Sequence, residues 1–339
     1  MGNVKKGLIK KPLIILTGST GLLGKHLKNR FLELGYKLLC PIRSQPASDP
    51  TPSEALQYIS YQDLFHLALD NNDRSIIVHC AGLVSYEKRD KQALFDTNKG
   101  LTKELGTWAL KQKVDKFIYV SSISTLGRTT KEQLVTENME RDRSLFITNY
   151  GLSKLAGEEA IKELSNSGLD YIILNPSVII GPSELHRSSL SLFKYVIDQK
   201  PFYTKGLINY IDIRDLSNAI EKLIESPIRN EQYIINGGYI DYGQFFATIA
   251  KYLNLKAPSI RVPLYLVRIG AILENSYSKL RRKSPTLSIE TAKMAGKAYI
   301  YSAEKFNKDF NMPYHSLNES IEFTTKKLQE LGEIKKKGI

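Results

Sequence analysis

The stretch "PLIILTGSTGLLGKHLKNRFLELGYKLLCPIRS", residues 12–44, constrains the fold more than any other part of the chain. Leu13 to Leu16 is an apolar run suited to a central parallel strand, which is covered on both faces. Gly18, Gly21 and Gly24 follow at once. Leu22, Leu23, Leu27, Phe31 and Leu34 then recur at helical spacing, and Gly35 supplies a C-cap. Leu38 to Ile42 reads as the next strand. In such a strand–turn–helix–strand unit, one glycine allows a tight turn and one lets the backbone approach a pyrophosphate. The third lets helix and strand pack closely, and the free N–H groups of the helix start face the phosphates. The expected ligand is a dinucleotide.

Which dinucleotide depends on the end of the second strand. A carboxylate there would accept hydrogen bonds from the ribose hydroxyls of NAD and repel the extra phosphate of NADP. This strand ends Pro41-Ile42-Arg43-Ser44, without a carboxylate. Arg43 can pair with a 2′-phosphate and Ser44 can add a hydrogen bond. NADP(H) is therefore expected over NAD(H).

The chain has 339 residues, 42% hydrophobic and 24% charged, the balance of a soluble globular protein with ample core. No stretch reaches the length of a membrane span, and the N-terminal apolar run is too short for a secretion signal. Cys40 and Cys80 fall in strands or strand ends and read as buried thiols, which fits a cytoplasmic location. The five histidines show no metal-ligand spacing, so no metal is expected. The net charge of +13 comes partly from terminal lysines. It can attract an anionic ligand. No nucleic-acid motif accompanies it, and nucleic acid is not an expected partner.

Further along, "SIIVHCAGL" reads as a strand closed by His79-Cys80-Ala81-Gly82, and Lys88 to Lys111 as a long helical stretch. "KFIYVSSISTLG" is a strand with Ser121 and Ser122 at its carboxyl end, the edge where ligands bind in open parallel sheets. In "NYGLSK", Tyr150 and Lys154 stand at i and i+4 and share one helix face. An ammonium near a phenol favours phenolate, so Lys154 is expected to lower the pKa of Tyr150 and make it a usable acid or base.

Taken together, "TGSTGLLG", "HCAG", "SSISTLG" and "YGLSK" resemble the extended short-chain dehydrogenase/reductase superfamily, of the NAD-dependent epimerase/dehydratase kind. "DTNKGLTKEL" is similar to its "NVxGTxxL" helix, and "LNPSVIIGP" to its "LRPxxVxGP", with Asn175 in place of the usual arginine. The tail resembles the dihydroflavonol reductase and 3β-hydroxysteroid dehydrogenase branches. The resemblance implies an α/β Rossmann fold, a doubly wound parallel sheet with a smaller, interleaved C-terminal substrate lobe. Residues 1–175 with 210–238 would bind the dinucleotide, and 176–209 with 239–339 would form the substrate lobe. It implies cofactor contacts from Gly18, Thr20, Gly21, Leu22, Leu23, Gly24, Arg43, Ser44, Asp63, Leu64, Cys80, Ala81, Gly82, Ser121, Pro176, Ser177 and Val178, besides Tyr150 and Lys154. The catalytic residues would be Ser122, Tyr150 and Lys154.

The expected activity is reduction of a ketone or aldehyde, or oxidation of a secondary alcohol, on a small-molecule substrate. A nucleotide-sugar epimerase with retained NAD is the alternative. Ser122 is followed by Ile123 and Ser124, not by the Asp-Glu pair of the dehydratases, and a non-catalytic sensor would have lost the tyrosine or lysine. Lys279, Arg281, Arg282 and Lys283 read as a solvated loop or as contacts to an anionic substrate handle. Tyr265, Leu266, Ile269 and Ile272 read as core or pocket wall. Asp215 reads as an N-cap. Helices 88–111 and 150–165 could pack against their copies in a homodimer.

Overall fold

The computed structural model describes residues 11–43, 53–70, 73–127, 134–140, 145, 147–185, 189–281, 292, 296 and 298–334, and the side chains of 275–281 are outside the description. Ser44, Arg282 and Lys283, and the side chains of Lys279 and Arg281, therefore lie outside the described residues.

The strands in chain order are β1 (Leu13–Thr17), β2 (Leu38–Ile42), β3 (Leu56–Ser60), β4 (Ser75–His79), β5 (Lys116–Val120), β6 (Leu134–Val135), β7 (Tyr171–Pro176), β8 (Val178–Ile180), β9 (Phe202–Thr204), β10 (Leu207–Asp212), β11 (Glu231–Ile235), β12 (Gly238–Asp241), β13 (Ile260–Val262) and β14 (Ile300–Tyr301). The helices are α1 (Leu22–Glu33), α2 (Tyr61–His66), α3 (Lys91–Phe95), α4 (Thr102–Lys111), α5 (Asn149–Ser165), α6 (Leu190–Ile197), α7 (Ile213–Glu225), α8 (Tyr242–Leu253), α9 (Leu264–Arg281), α10 (Glu304–Phe310) and α11 (Leu317–Glu330).

A seven-stranded sheet runs β11-β7-β5-β4-β1-β2-β3. Every pairing in it is parallel. The strand order reverses between β1 and β4, and at such a switch point the connections leave in opposite directions and open a crevice at the carboxyl edge. Alternate residues serve opposite faces, as strand geometry requires. Ile14, Leu16, Ile76, Val78, Ile118 and Ile172 join a core with residues of α1 and α7. Ile15, Ile77, Phe117, Tyr119 and Ile173 join the core under α4 and α5. The sheet is thus covered on both sides, which explains its unbroken apolar runs.

A third core gathers Ile180, Phe193, Ile208, Phe245, Ile249, Leu317 and Ile321. It underlies a small sheet of order β12-β10-β8. The run "YIILNPSVII", which reads as one strand, divides at Ser177. Tyr171–Pro176 stays in the large sheet and Val178–Ile180 enters the small one. Proline 176 has no N–H to extend the ladder, and the chain crosses between sheets there. The expected division at residue 210 falls inside β10, which pairs along Leu207–Asp212 with both neighbours of the small sheet.

The stretch Lys88–Lys111 is helical as expected, with a π-helical turn, Asp96–Leu101, between α3 and α4. Two readings are corrected. The N-cap of α7 is Asp212, whose side chain accepts from Arg214 N–H, so Asp215 lies inside the first turn and bonds His315 instead. Tyr265, Leu266, Ile269 and Ile272 of α9 are exposed and not core. Tyr265 is 64% exposed and Ile272 56%, and it is Val267 and Ala271 that face inward.

Packing of α5 against the π-turn depends on Gly157. A Cβ there would lie 2.4 Å from the Asn98 carbonyl oxygen and 2.5 Å from the Tyr119 hydroxyl, and the first is backbone that cannot swing aside. Gly157→Ala should therefore lower stability by about 1–3 kcal/mol through overpacking. Gly270→Ala in α9, whose Cβ would meet nothing within 4 Å, should raise it by up to about 1 kcal/mol through helix propensity. Thermal melts of both variants test this, and equal melts would contradict it.

Candidate active site

The crevice is built on close backbone approach at the carboxyl ends of β1 and β4. Gly18 has φ +69°, a left-handed conformation that favours glycine, and a Cβ there would come within 2.6 Å of Ala81 N. At Gly24 a Cβ would fall 2.0 Å from the Gly18 carbonyl oxygen, so the helix start is pressed onto the turn. Gly21 caps α1 with no side-chain hydrogen bond, and no acidic residue sits in the first turn. Gly21 N–H donates to the Gly18 carbonyl at 2.9 Å, while the N–H groups after it in the first turn have no preceding helical carbonyl to bond, and the end of the helix dipole favours an anion. Thr20 is exposed and Leu22 half-buried beside this turn, while Leu23 turns into the core. The Ser19 hydroxyl is buried without a hydrogen-bond partner. A buried orphan hydroxyl is costly unless something fills its place. These features fit a bound dinucleotide pyrophosphate.

Arg43 is exposed at the end of β2, with its guanidinium 3.5 Å from Thr97 Oγ1. It also acts electrostatically on Tyr61, a residue the sequence reading passed over. Burial pushes the Tyr61 phenol up to about 12, against the pull of Arg43 and a hydrogen bond with Thr17. Asp63 closes the first turn of α2: its N–H donates to Ser60 Oγ, and its carboxylate accepts from the same hydroxyl at 2.7 Å. The Leu64 side chain is fully buried in the core, so only its backbone is left to meet a ligand.

Beyond β4, Ala81 N–H donates to Thr17 Oγ1, and Leu83 N–H donates to Asn98 Oδ1 at 2.8 Å. Asn98 Nδ2 returns a bond to the Leu83 carbonyl and another to Ser153 Oγ, both at 2.9 Å. The π-turn thus clamps the segment after β4 against α5. A Cβ on Gly82 would lie 3.5 Å from Lys154 Nζ, which brings the lysine to the edge of the crevice. His79, wholly buried between Thr17 and Thr102, is held neutral, its pKa lowered to about 3 by desolvation and then by Lys154.

Ser122, Tyr150 and Lys154 come together at this edge. Thr148 caps α5 by accepting from Gly151 N–H at 3.0 Å, which sets Tyr150 in the first turn. The Tyr150 hydroxyl hydrogen-bonds Ser122. Ser122 Oγ also accepts from Ser124 N–H and lies 3.0 Å from Ser124 Oγ. Lys154 is 3% exposed, donates to the Val120 carbonyl at 2.7 Å, and sits 4.3 Å above the Tyr119 ring. Desolvation lowers its pKa to about 8, with Glu158 and then Cys80 opposing.

The expected lowering of the Tyr150 pKa by Lys154 is not found. Burial raises that phenol well above its ordinary value, Tyr86 adds to the rise, and only the Ser122 hydrogen bond opposes it. The ammonium is committed to the Val120 carbonyl and the Tyr119 ring face. Tyr86 stands edge-on to Tyr150 with ring centroids 6.1 Å apart.

Two groups of predicted contacts sit differently from one another. The Ser121 hydroxyl turns into the protein and donates to Glu158 at 2.5 Å. Pro176 and Ser177 are buried at the carboxyl end of β7, where Ser177 N–H donates to the Ile235 carbonyl, and Val178 begins β8. The sequence reading also missed Glu158 and Gln232. Glu158 follows Lys154 by one helical turn, a spacing that could have flagged it.

The chain belongs to the NAD dependent epimerase/dehydratase family, whose model matches residues 14–236. It is an enzyme of the extended short-chain dehydrogenase/reductase type. It is 24% identical to the Synechocystis protein named "Putative dihydroflavonol 4-reductase", over 94% of this chain and 95% of that one. It is 25% identical to UDP-glucose 4-epimerase of Vibrio cholerae, over 82% and 87% of the two chains. The structure of UDP-glucuronic acid 4-epimerase from Bacillus cereus in complex with NAD superposes with a TM-score of 0.70 at 19% identity, over 94% of this chain and 97% of that one. No helix among the described residues is long and apolar enough to cross a membrane.

The ligand-free protein should hold Tyr150 as a neutral phenol. In ultraviolet difference titration of wild type against Tyr150→Phe, no tyrosinate signal from Tyr150 should appear up to its ordinary value of 10. Ionisation of that residue near neutrality would contradict the burial argument.

Proposed function

We propose that this chain is an NADP(H)-dependent oxidoreductase that reduces a ketone or aldehyde, or oxidises the corresponding secondary alcohol, through Ser122, Tyr150 and Lys154. One observation carries the reading above the others. A phenol kept protonated by burial meets a serine hydroxyl at the carboxyl edge of the sheet, beside a buried ammonium. The end of β2 adds to it, since Arg43 stands there with no carboxylate.

A bound nicotinamide dinucleotide supplies or accepts the hydride. The chain's own residues do the rest. Ser122 Oγ–H donates to the carbonyl oxygen of the substrate and orients it. Tyr150 Oη–H delivers a proton to that oxygen as negative charge develops on it, and a neutral phenol is the form this needs. The N–H donors of Lys154 suit the ribose hydroxyls of the nicotinamide end. Gly18 to Gly24 hold the pyrophosphate, and Arg43 takes the 2′-phosphate in a charge-assisted pair. In the alcohol-oxidising direction each proton moves the other way. Residues 1–175 with 210–238 carry the dinucleotide in this reading, and 176–209 with 239–339 surround the substrate.

Two measurements test this. In fluorescence titrations of nucleotide-stripped protein, NADPH should bind at least about tenfold more tightly than NADH, and Arg43→Ala should remove the preference. Tightly retained NAD(H), indifferent to Arg43, would overturn the cofactor assignment and favour an epimerase. With NADPH and a panel of aryl and alkyl ketones and aldehydes, Tyr150→Phe should lose about 10²- to 10⁴-fold in kcat while NADPH affinity changes little. Undiminished turnover would remove Tyr150 from the mechanism.

A further inference from the structure

Beneath Ser122, Tyr150 and Lys154 lies a buried polar cluster that the mechanism above does not use. Glu158 is its centre. It is 3% exposed and sits one helical turn beyond Lys154 on the buried face of α5. Its Oε1 accepts from Ser121 Oγ at 2.5 Å and from Asn175 Nδ2 at 2.7 Å. Thr125 Oγ1 lies 2.7 Å from the same oxygen and 2.9 Å from the Ser122 carbonyl, and its single proton serves one of them at a time. Asn175 Nδ2 also reaches the Ser122 carbonyl at 3.0 Å. Oε2 faces Gln232 Nε2 at 3.4 Å, and that amide holds Asn175 Oδ1 at 2.8 Å.

Each of these hydrogen-bond partners is neutral. Asn175 and Gln232 are amides where a guanidinium would have neutralised the carboxylate directly. A buried carboxylate held by hydrogen bonds alone keeps an uncompensated charge, and in a poorly polarisable interior that charge acts at longer range than in water. Two cations flank it along α5. Lys162, one turn beyond, is exposed and bonds Gln232 Oε1 at 2.8 Å, so water screens it. Lys154, one turn before, is buried and unscreened.

We propose that Glu158 is a positioning residue whose carboxylate is the countercharge that keeps Lys154 an ammonium, and that it fixes the Ser122 carbonyl through Asn175 and Thr125. The catalytic meaning of this inference rests on the function proposed above for Ser122 and Lys154. The groups facing Lys154 leave the task to Glu158. From β5 it meets the Val120 carbonyl and the Tyr119 ring, which are uncharged. From the end of β4 it meets neutral His79 and Cys80, whose thiol burial pushes up to about 12. Tyr150, on its own helix, stays protonated. Burial works against the ammonium, and Glu158 is the leading influence in its favour.

The direction of the effect follows. Removing the carboxylate charge withdraws support from the ammonium, so Lys154 loses its proton at lower pH. The test is a pH titration of protein labelled with ¹³Cε-lysine, followed by NMR. The Lys154 resonance is assigned by its loss in Lys154→Arg. Wild type should titrate near 8. Glu158→Gln should titrate about one unit lower, while Glu158→Asp, which keeps the charge, should stay near wild type. Gln232→Lys, which brings a competing cation to the carboxylate, should also titrate lower, and it covers the case in which Glu158→Gln fails to fold. An unchanged Lys154 midpoint in folded Glu158→Gln or Gln232→Lys would overturn the proposal. So would equal shifts in Glu158→Gln and Glu158→Asp. The measurement needs no turnover, so a protein inactive on every carbonyl compound could still satisfy it, and failure of the oxidoreductase reading would be seen separately.

Discussion

Much of this structure is arranged around one buried positive charge. Lys154 is nearly inaccessible to water, and an ammonium in that position is expensive unless carbonyls, ring faces and countercharge replace its hydration. Val120 supplies the carbonyl because β5 ends there and the chain turns toward Ser122. Tyr119 supplies the ring face, and its hydroxyl donates to the Asn98 carbonyl inside the π-turn. Asn98 in turn holds the segment after β4. The lysine thus contacts β5 directly and is linked through Tyr119 and Asn98 to the break between α3 and α4 and to the segment after β4.

The same burial sets the state of the neighbouring tyrosine. Proximity of phenol and ammonium in sequence suggests a phenolate, but desolvation penalises any charge, and in the ligand-free protein it prevails. The ammonium is also turned to other partners. The result is a neutral phenol hydrogen-bonded to the Ser122 hydroxyl. Relatives named for a reductase and for an epimerase both resemble the chain. In the function proposed above, Arg43 at the end of β2 is what separates a reductase from an epimerase.

The large sheet and its ligand edge were legible in the sequence because both rest on short-range signals. Leu13 to Leu16 must be covered on both faces, and Gly18 and Gly24 stand where any side chain would strike backbone. Ser122, Tyr150 and Lys154 were legible through spacing along one strand end and one helix face. What was not legible depends on contacts between distant segments. The π-turn exists because Asn98 reaches Leu83 and Ser153, and periodicity alone cannot register an inserted residue held by such bonds. Glu158, Asn175 and Gln232 come from α5, β7 and β11, and only the strand order brings them together. The cap of α7 was misplaced because Asp212 and Asp215 both precede apolar helical residues. The bond from Asp215 to His315, far along the chain, decides between them.

A crystal structure of the chain with bound NADP⁺ would test the central claim most directly. The account predicts the pyrophosphate on the N–H groups of Leu22 to Gly24, the 2′-phosphate on Arg43, and the nicotinamide ribose hydroxyls within hydrogen-bond reach of Lys154. Tyr150 and Ser122 should face the reactive face of the nicotinamide. A dinucleotide seated elsewhere, or one that left Lys154 and Tyr150 without contact to its nicotinamide end, would contradict it.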